Sequence, residues 1–117
     1  RVREGCFLAV DYGADTATLA RRFPFGSLRA YFQHQVFDGM ECYRRAGRQD
    51  LTVDVNFTHL SAWMSEFGWQ CTSHQTQMEF ISRYVPHQVL QADDFVTPLM
   101  SESGAGQAFK VACFQPV

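Results

Sequence analysis

CFLAVDYG, residues Cys6 to Gly13, is an unbroken apolar run that stops abruptly at an acid, an aromatic ring and a glycine. A buried parallel strand reads this way where it enters the loop at its carboxyl end, because its faces are covered along its length and only the end meets water. In open α/β sheets, ligands bind at that edge. Asp11, Tyr12 and Gly13 therefore point towards a candidate site whatever its chemistry. A strand this apolar also calls for a neighbour on its other side, and the expectation is that one precedes Arg1.

Further along, Ala14 to Pro24 permits two readings, since TATLARRF can make a helical turn while Pro24 and Gly26 break one. A loop with a short helix is expected. SLRAYFQHQVF (Ser27 to Phe37) alternates Leu28, Ala30 and Phe32 against Arg29, Tyr31 and Gln33, the period of a strand. Asp38 to Asp50 is polar and aperiodic, and longer than an ordinary connection, which points to a lid or a substrate contact.

Asn56 or Thr58 can cap the next element, because each carries an oxygen for the free N–H groups of a first helical turn. Phe57, Leu60, Trp63, Met64 and Phe67 then recur at helical spacing up to Gly68. That stripe reads as core packing rather than as a cofactor box. Trp69 to Gln77 reads as a strand, Met78 to Val85 as a short helix stopped by Pro86, and Val89 to Phe95 as a helical piece. SESGAG (Ser101 to Gly106) reads as flexible, and AFKVACF (Ala108 to Phe114) as a terminal strand. The order is β, excursion, α, β, short α, β: the back half of a doubly wound α/β sheet in a single unit spanning 1–117.

The chain has 117 residues and a formal charge of -2, with Arg, Asp and Glu intermixed. This removes the electrostatic case for nucleic acid or an anionic membrane as partner. The basic clusters Arg21-Arg22 and Arg44, Arg45, Arg48 read as solvated faces, with phosphate or an acidic partner as the minor alternative. Cys6 to Val10 is far too short to span a bilayer, which takes about 20 apolar residues, and the opening residues show no signal peptide. Cys6, Cys42, Cys71 and Cys113 are widely spaced, with no C-x-x-C pair to hold a metal. Two of them sit in apolar or alternating runs, where a free Cys acts as a small core residue, and the set reads as that of a reducing compartment, the cytoplasm or a mitochondrial matrix, with a disulfide-stapled secreted domain as the alternative.

Several blocks, in order, resemble the MidA family, which includes the mitochondrial complex I assembly arginine methyltransferase. They are DYG at Asp11 to Gly13, LRAYFQH at Leu28 to His34, AGRQDLTVDVNF at Ala46 to Phe57, TQMEF at Thr76 to Phe80 and GQAFKV at Gly106 to Val111. The third is the most specific, since family members look like P-G-x-x-D-[IL]-T-x-x-V-D-F there. This chain has Ala46 in place of the Pro, Asn56 in place of the second Asp, and Gln107 where the family usually has Glu. The resemblance implies the C-terminal half of a class I, Rossmann-like methyltransferase sheet, with S-adenosylmethionine as cofactor and a protein as substrate. It also implies a glycine-rich turn and a ribose-binding acid for that cofactor. Neither is legible here, and GAG at Gly104 to Gly106 is no substitute, because it precedes a strand rather than a helix.

Methyl transfer from a sulfonium is an in-line displacement, so the protein aligns the acceptor and stabilises changing charge. A guanidinium acceptor would be held by carboxylates. The candidate catalytic residues are Asp11, Tyr12, His34 and Asp50, with Gly13 and Asp54 as substrate-binding candidates and residues 26–50 as a substrate-side excursion. Structural alternatives accompany Asp11, Asp50 and His34: Asp11 as a loop cap, Asp50 as a turn former and His34 as a hydrogen-bonded core residue. A competing reading is a non-catalytic half-domain that pairs through its open sheet edge with a second copy or another partner.

Overall fold

The computed structural model describes residues 3–92 and 96–117. A four-stranded sheet carries the main core: β1 (Phe7–Ala14), β5 (Val55–Asn56), β6 (Trp69–Thr76) and β7 (Phe109–Pro116), in the order β5-β1-β7-β6. β7 runs antiparallel between β1 and β6, and β5 pairs in parallel with β1 only at Gly13↔Val55 and Ala14↔Asn56. The sheet is therefore mixed, and the fold is α/β. A smaller antiparallel sheet holds β2 (Arg29–Phe32), β3 (Gln35–Phe37) and β4 (Asp50–Thr52), in the order β3-β2-β4.

The expectation that β1 is buried does not hold. Among the described residues its edge from Phe7 to Tyr12 is paired on the β7 side alone. Phe7, Leu8 and Val10 are consequently 46%, 46% and 48% exposed. An apolar sequence records what a strand can bury, and burial itself needs neighbours packed on both faces of the sheet.

Helix α2 (Phe57–Glu66) is capped by Asn56, whose Oδ1 accepts the His59 N–H at 3.1 Å. The same amide donates to Thr16 Oγ1 at 3.0 Å, tying the start of α2 to the start of α1 (Thr16–Arg22). Phe57 packs with Ala112 and Phe114 on one face of the sheet, flanked by Leu60 and Met64. Trp63 and Phe67 do not join them, being 60% and 79% exposed. The apolar stripe of α2 is wider than the strip of sheet beneath it, so its outer flank stays in solvent beside His59, whose ring lies 6.1 Å from that of Trp63.

SLRAYFQHQVF is two strands rather than one. Gln33 and His34 both take positive φ, 48° and 63°, and form the two-residue turn between β2 and β3. Such turns follow the right-handed twist of a hairpin and usually carry Asn-Gly, which is why this one was not evident from residue type. In the excursion, Gly39–Tyr43 forms a 3-10 turn with Cys42 buried inside it. Arg44 and Arg45 pair with Glu41 at 2.8 and 3.7 Å. Arg45 also lies over the Phe37 ring at 4.4 Å, so only part of that cluster is a simple solvated face.

Helix α3 (Gln77–Tyr84) begins in a capping box: Thr76 Oγ1 accepts the Glu79 N–H at 3.2 Å, and Glu79 Oε2 accepts the Thr76 N–H at 2.7 Å. Helices α4 (His87–Ala92), α5 (Val96–Leu99) and α6 (Ala105–Ala108) follow. The helical piece expected over Val89 to Phe95 is α4 as far as Ala92, and residues 93–95 lie outside the described residues. SESGAG is not simply flexible: α6 begins within it, and Gly106 lies so close to the Met100 backbone that a Cβ there would stand 2.5 Å from a carbonyl carbon. No helix among the described residues is long and apolar enough to cross a membrane.

The cysteine expectation holds in part. Cys42 and Cys71 are unpaired, but Cys6 and Cys113, with Cα atoms 6.6 Å apart, are joined as a disulfide. The strand pairing brings them together: Leu8 lies opposite Cys113, and Cys6, the residue before β1, is two positions from Leu8. A spacing of 107 residues gave no sign of it, and the cysteines therefore no longer argue for a reducing compartment.

Candidate functional site

The carboxyl end of β1 opens into a cavity of about 540 Å³ between the two sheets. Its walls come from Tyr12, from Arg22 and Phe23 at the end of α1, from Arg29 and Tyr31 of β2, from Asp50 and Thr52 of β4, and from Asp54, Ala108 and Phe109. Strand alternation explains the β2–β4 wall. Arg29 lies opposite Thr52 and Tyr31 opposite Asp50, so all four project from one face, while Ala30 opposite Leu51 takes the other. Tyr12 and Phe109, partners across β1 and β7, meet edge to face at 5.6 Å and form the opposite wall.

One cluster joins the small sheet to the main one. Arg29 Nη2 meets Asp54 Oδ1 at 2.5 Å, with both side chains largely buried. The guanidinium lies over the Phe23 ring at 5.2 Å and the Tyr12 ring at 5.8 Å. Its Nε is buried without a hydrogen-bond partner, so stacking and the single ion pair hold it. Asp50 is exposed and forms no ion pair among the described residues.

Tyr12, Asp50 and Asp54 line this cavity together. Asp11, Gly13 and His34 do not join them. Asp11 projects from the opposite face of β1, where its Oδ1 accepts the Tyr12 N–H at 2.8 Å, the contact of a local cap. Gly13 serves a close approach: a Cβ there would lie 2.1 Å from the Val55 carbonyl oxygen. His34 sits at the hairpin turn rather than in an aromatic strand. Phe23, Arg29 and Tyr31 were not named as site candidates, and Arg22, read with Arg21 as a solvated face, lines the cavity instead. The alternation of Arg29 and Tyr31 against Ala30 was visible, but nothing local indicated that Arg29 would reach Asp54.

Two groups on β6 and β7 have lowered pKa values. Lys110 is held below its ordinary value of 10.5, first by burial and then by Arg22, with Glu79 opposing. Its Nζ donates to the Gln107 carbonyl. His74, stacked on Phe57 at 5.0 Å, is held below 6.5 by burial and by Lys110. A second cavity, of about 530 Å³, shares Arg22 and Phe23 with the first and runs to Met40 and Tyr43 of the excursion.

The glycines do not fit a cofactor cradle. Gly13 and Gly106 are both occupied in backbone packing, and neither lies in a glycine-rich turn between a strand and a helix.

No curated protein matches the chain. Among solved structures, an uncharacterized protein of the COG1565 superfamily from Burkholderia thailandensis superposes with a TM-score of 0.83 at 23% identity, over 97% of this chain and 33% of that one. A member of the same superfamily from that organism, bound to S-adenosyl-homocysteine, gives 0.81 at 23% identity over 95% and 32%. At that identity the likeness concerns the fold, and the chain spans about a third of the length of these structures. Residues 1–75 match the model of the family described as "Putative S-adenosyl-L-methionine-dependent methyltransferase". Because that match covers well over half of the chain, this protein belongs to that family, whose cofactor is S-adenosylmethionine.

Proposed function

We propose that this chain forms the methyl-acceptor side of an S-adenosylmethionine-dependent methyltransferase of the MidA type, with an arginine of a protein as acceptor and with the methyl donor held by residues outside it. The observation that carries the reading is the cavity at the carboxyl end of β1, which an exposed carboxylate, Asp50, without an ion pair among the described residues, lines together with Tyr12 and Tyr31. A carboxylate can receive paired N–H groups of a guanidinium and fix its plane, and flanking rings favour a delocalised cation. Alignment of that kind is most of what an in-line methyl transfer asks of the acceptor side. Residues 26–50 supply β2, β3 and the 3-10 turn, and so much of both cavity walls.

The finer fold reading, the C-terminal half of a Rossmann-like class I sheet, draws support from the open edge of β1 and from the third of each solved relative that the chain spans. In a longer protein carrying this chain, Asp50→Asn is expected to raise the KM for an arginine peptide about tenfold or more, as loss of a hydrogen bond to a charged group implies. Binding of S-adenosylmethionine should be unchanged. An unaltered acceptor KM would remove Asp50 from the site. Calorimetric titration of the 117-residue chain with S-adenosylmethionine should show no binding, and micromolar affinity would overturn the division of labour.

The exposed apolar edge at Phe7, Leu8 and Val10 favours a second reading, a non-catalytic module that pairs there with a second copy. Sedimentation of the chain as a monomer would remove it.

A further inference from the structure

The cavity already holds one guanidinium, and it belongs to the chain itself. Arg29 reaches from β2 to set its Nη2 on Asp54 at 2.5 Å, with the ring of Phe23 at 5.2 Å and that of Tyr12 at 5.8 Å. A carboxylate with two aromatic faces recognises a guanidinium by charge, by hydrogen bonding and by stacking. These three groups come from separate segments: β1, the residue that ends α1, and the link between β4 and β5. No local secondary structure requires them to meet. Asp54 is held in place in turn, its own N–H donating to Ser27 Oγ at 3.1 Å.

We infer that Tyr12, Phe23 and Asp54 form a guanidinium seat that the chain fills with Arg29, making Arg29 a positioning residue that neutralises Asp54 and leaves Asp50 as the carboxylate open to an acceptor. The role of Asp50 rests on the acceptor-site reading above, whereas the seat is a property of the chain alone. Arg29 and Tyr31 are alternate residues of β2, about 7 Å apart along the strand, and Asp50 lies opposite Tyr31. The filled seat and the open carboxylate are therefore neighbours on one face. A cationic acceptor entering here meets attraction at Asp50 and repulsion from Arg29, and this difference orients it.

Replacing Arg29 with alanine empties the seat. Millimolar guanidinium chloride should then raise the melting temperature of Arg29→Ala by a few degrees relative to equal sodium chloride, because a ligand that binds only the folded state stabilises it. The unaltered protein, its seat filled, should show no such rise, and neither should the double variant Arg29→Ala/Asp54→Asn. A flat response of the single variant, or an equal rise in the double variant, overturns the inference. Should Arg29→Ala not fold, Arg29→Gln carries the same comparison, read from the Tyr12 ring-proton shifts as guanidinium is added, and unmoved shifts overturn it. A failed seat with an intact effect of Asp50→Asn on acceptor KM sinks the seat alone. A seat that binds guanidinium while Asp50→Asn has no effect sinks the acceptor reading alone.

Discussion

The two sheets are held together by different forces. Where α2 meets the four-stranded sheet, Phe57, Ala112 and Phe114 are almost wholly buried, and Val111 is equally so within β7. In the small sheet and its excursion the fully buried side chains are only Ala30 and Cys42, and Met40, Tyr43, Val36 and Leu51 are exposed. There the joints are the ion pair of Arg29 with Asp54, arginine stacked on Phe32 and Phe37, and the bond of Gln49 Nε2 to the Cys42 carbonyl. Apolar burial is non-directional and scales with area, whereas ion pairs and stacks depend on a few atoms. The cavity thus has one wall set by a core and another set by a handful of polar contacts, and the second is the wall that a few lost contacts can loosen.

The widest separation between the two regions should come from Phe57→Ala. Emptying a site that is 2% exposed is expected to cost about 3–5 kcal/mol. Denaturant unfolding should register it as a loss of the whole cooperative transition, small sheet included. A loss confined to α2 would show that the core does not govern both regions.

Asp54→Asn should act on the small sheet alone. It leaves Arg29 largely buried without its carboxylate, at a cost of about 1–3 kcal/mol. Amide exchange should quicken across β2 and β4 and stay unchanged in β6 and β7. Equal acceleration in all four strands would erase the distinction.

Mild acid should have the smallest effect, and it should fall on the main unit. Glu79 is held below its ordinary 4.5 by its bonds to the Thr76 backbone and side chain, and Asp15 below 3.8 by its bonds to Thr18. A depressed carboxylate adds stability above its unfolded value and loses it as pH falls through the folded one. His74, depressed from 6.5 by burial, works in the same direction: the unfolded chain takes up the proton first, so stability falls as pH drops below about 6.5. Melting temperature should therefore decline monotonically from pH 7 towards pH 3, first through His74 and then through the two caps. A rise anywhere in that range would contradict these assignments.

Much of the architecture was legible because it is local. The run Trp69 to Gln77, the stop at Pro86, the strand at Ala108 to Phe114 and the cap at Asn56 are each decided by residues within a few positions of one another. Even the missed capping box was spelled out in Thr76-Gln77-Met78-Glu79. The same locality gives Asn56 its role: it caps a helix, as Asp would do equally.

The sequence by itself determined the main elements β1, α2, β6, α3 and β7, their order, the family likeness and the place of Tyr12 at one strand end, with Asp50 and Asp54 as candidates that it did not place. Only the tertiary structure decided that Asp11 faces away from them, that Trp63 and Phe67 remain in solvent, that Cys6 meets Cys113, and that Arg29 occupies Asp54. The physical reason is distance along the chain. Caps, turns and strand alternation are settled within a few residues, whereas the partner of a side chain 25 positions away depends on how separate segments pack.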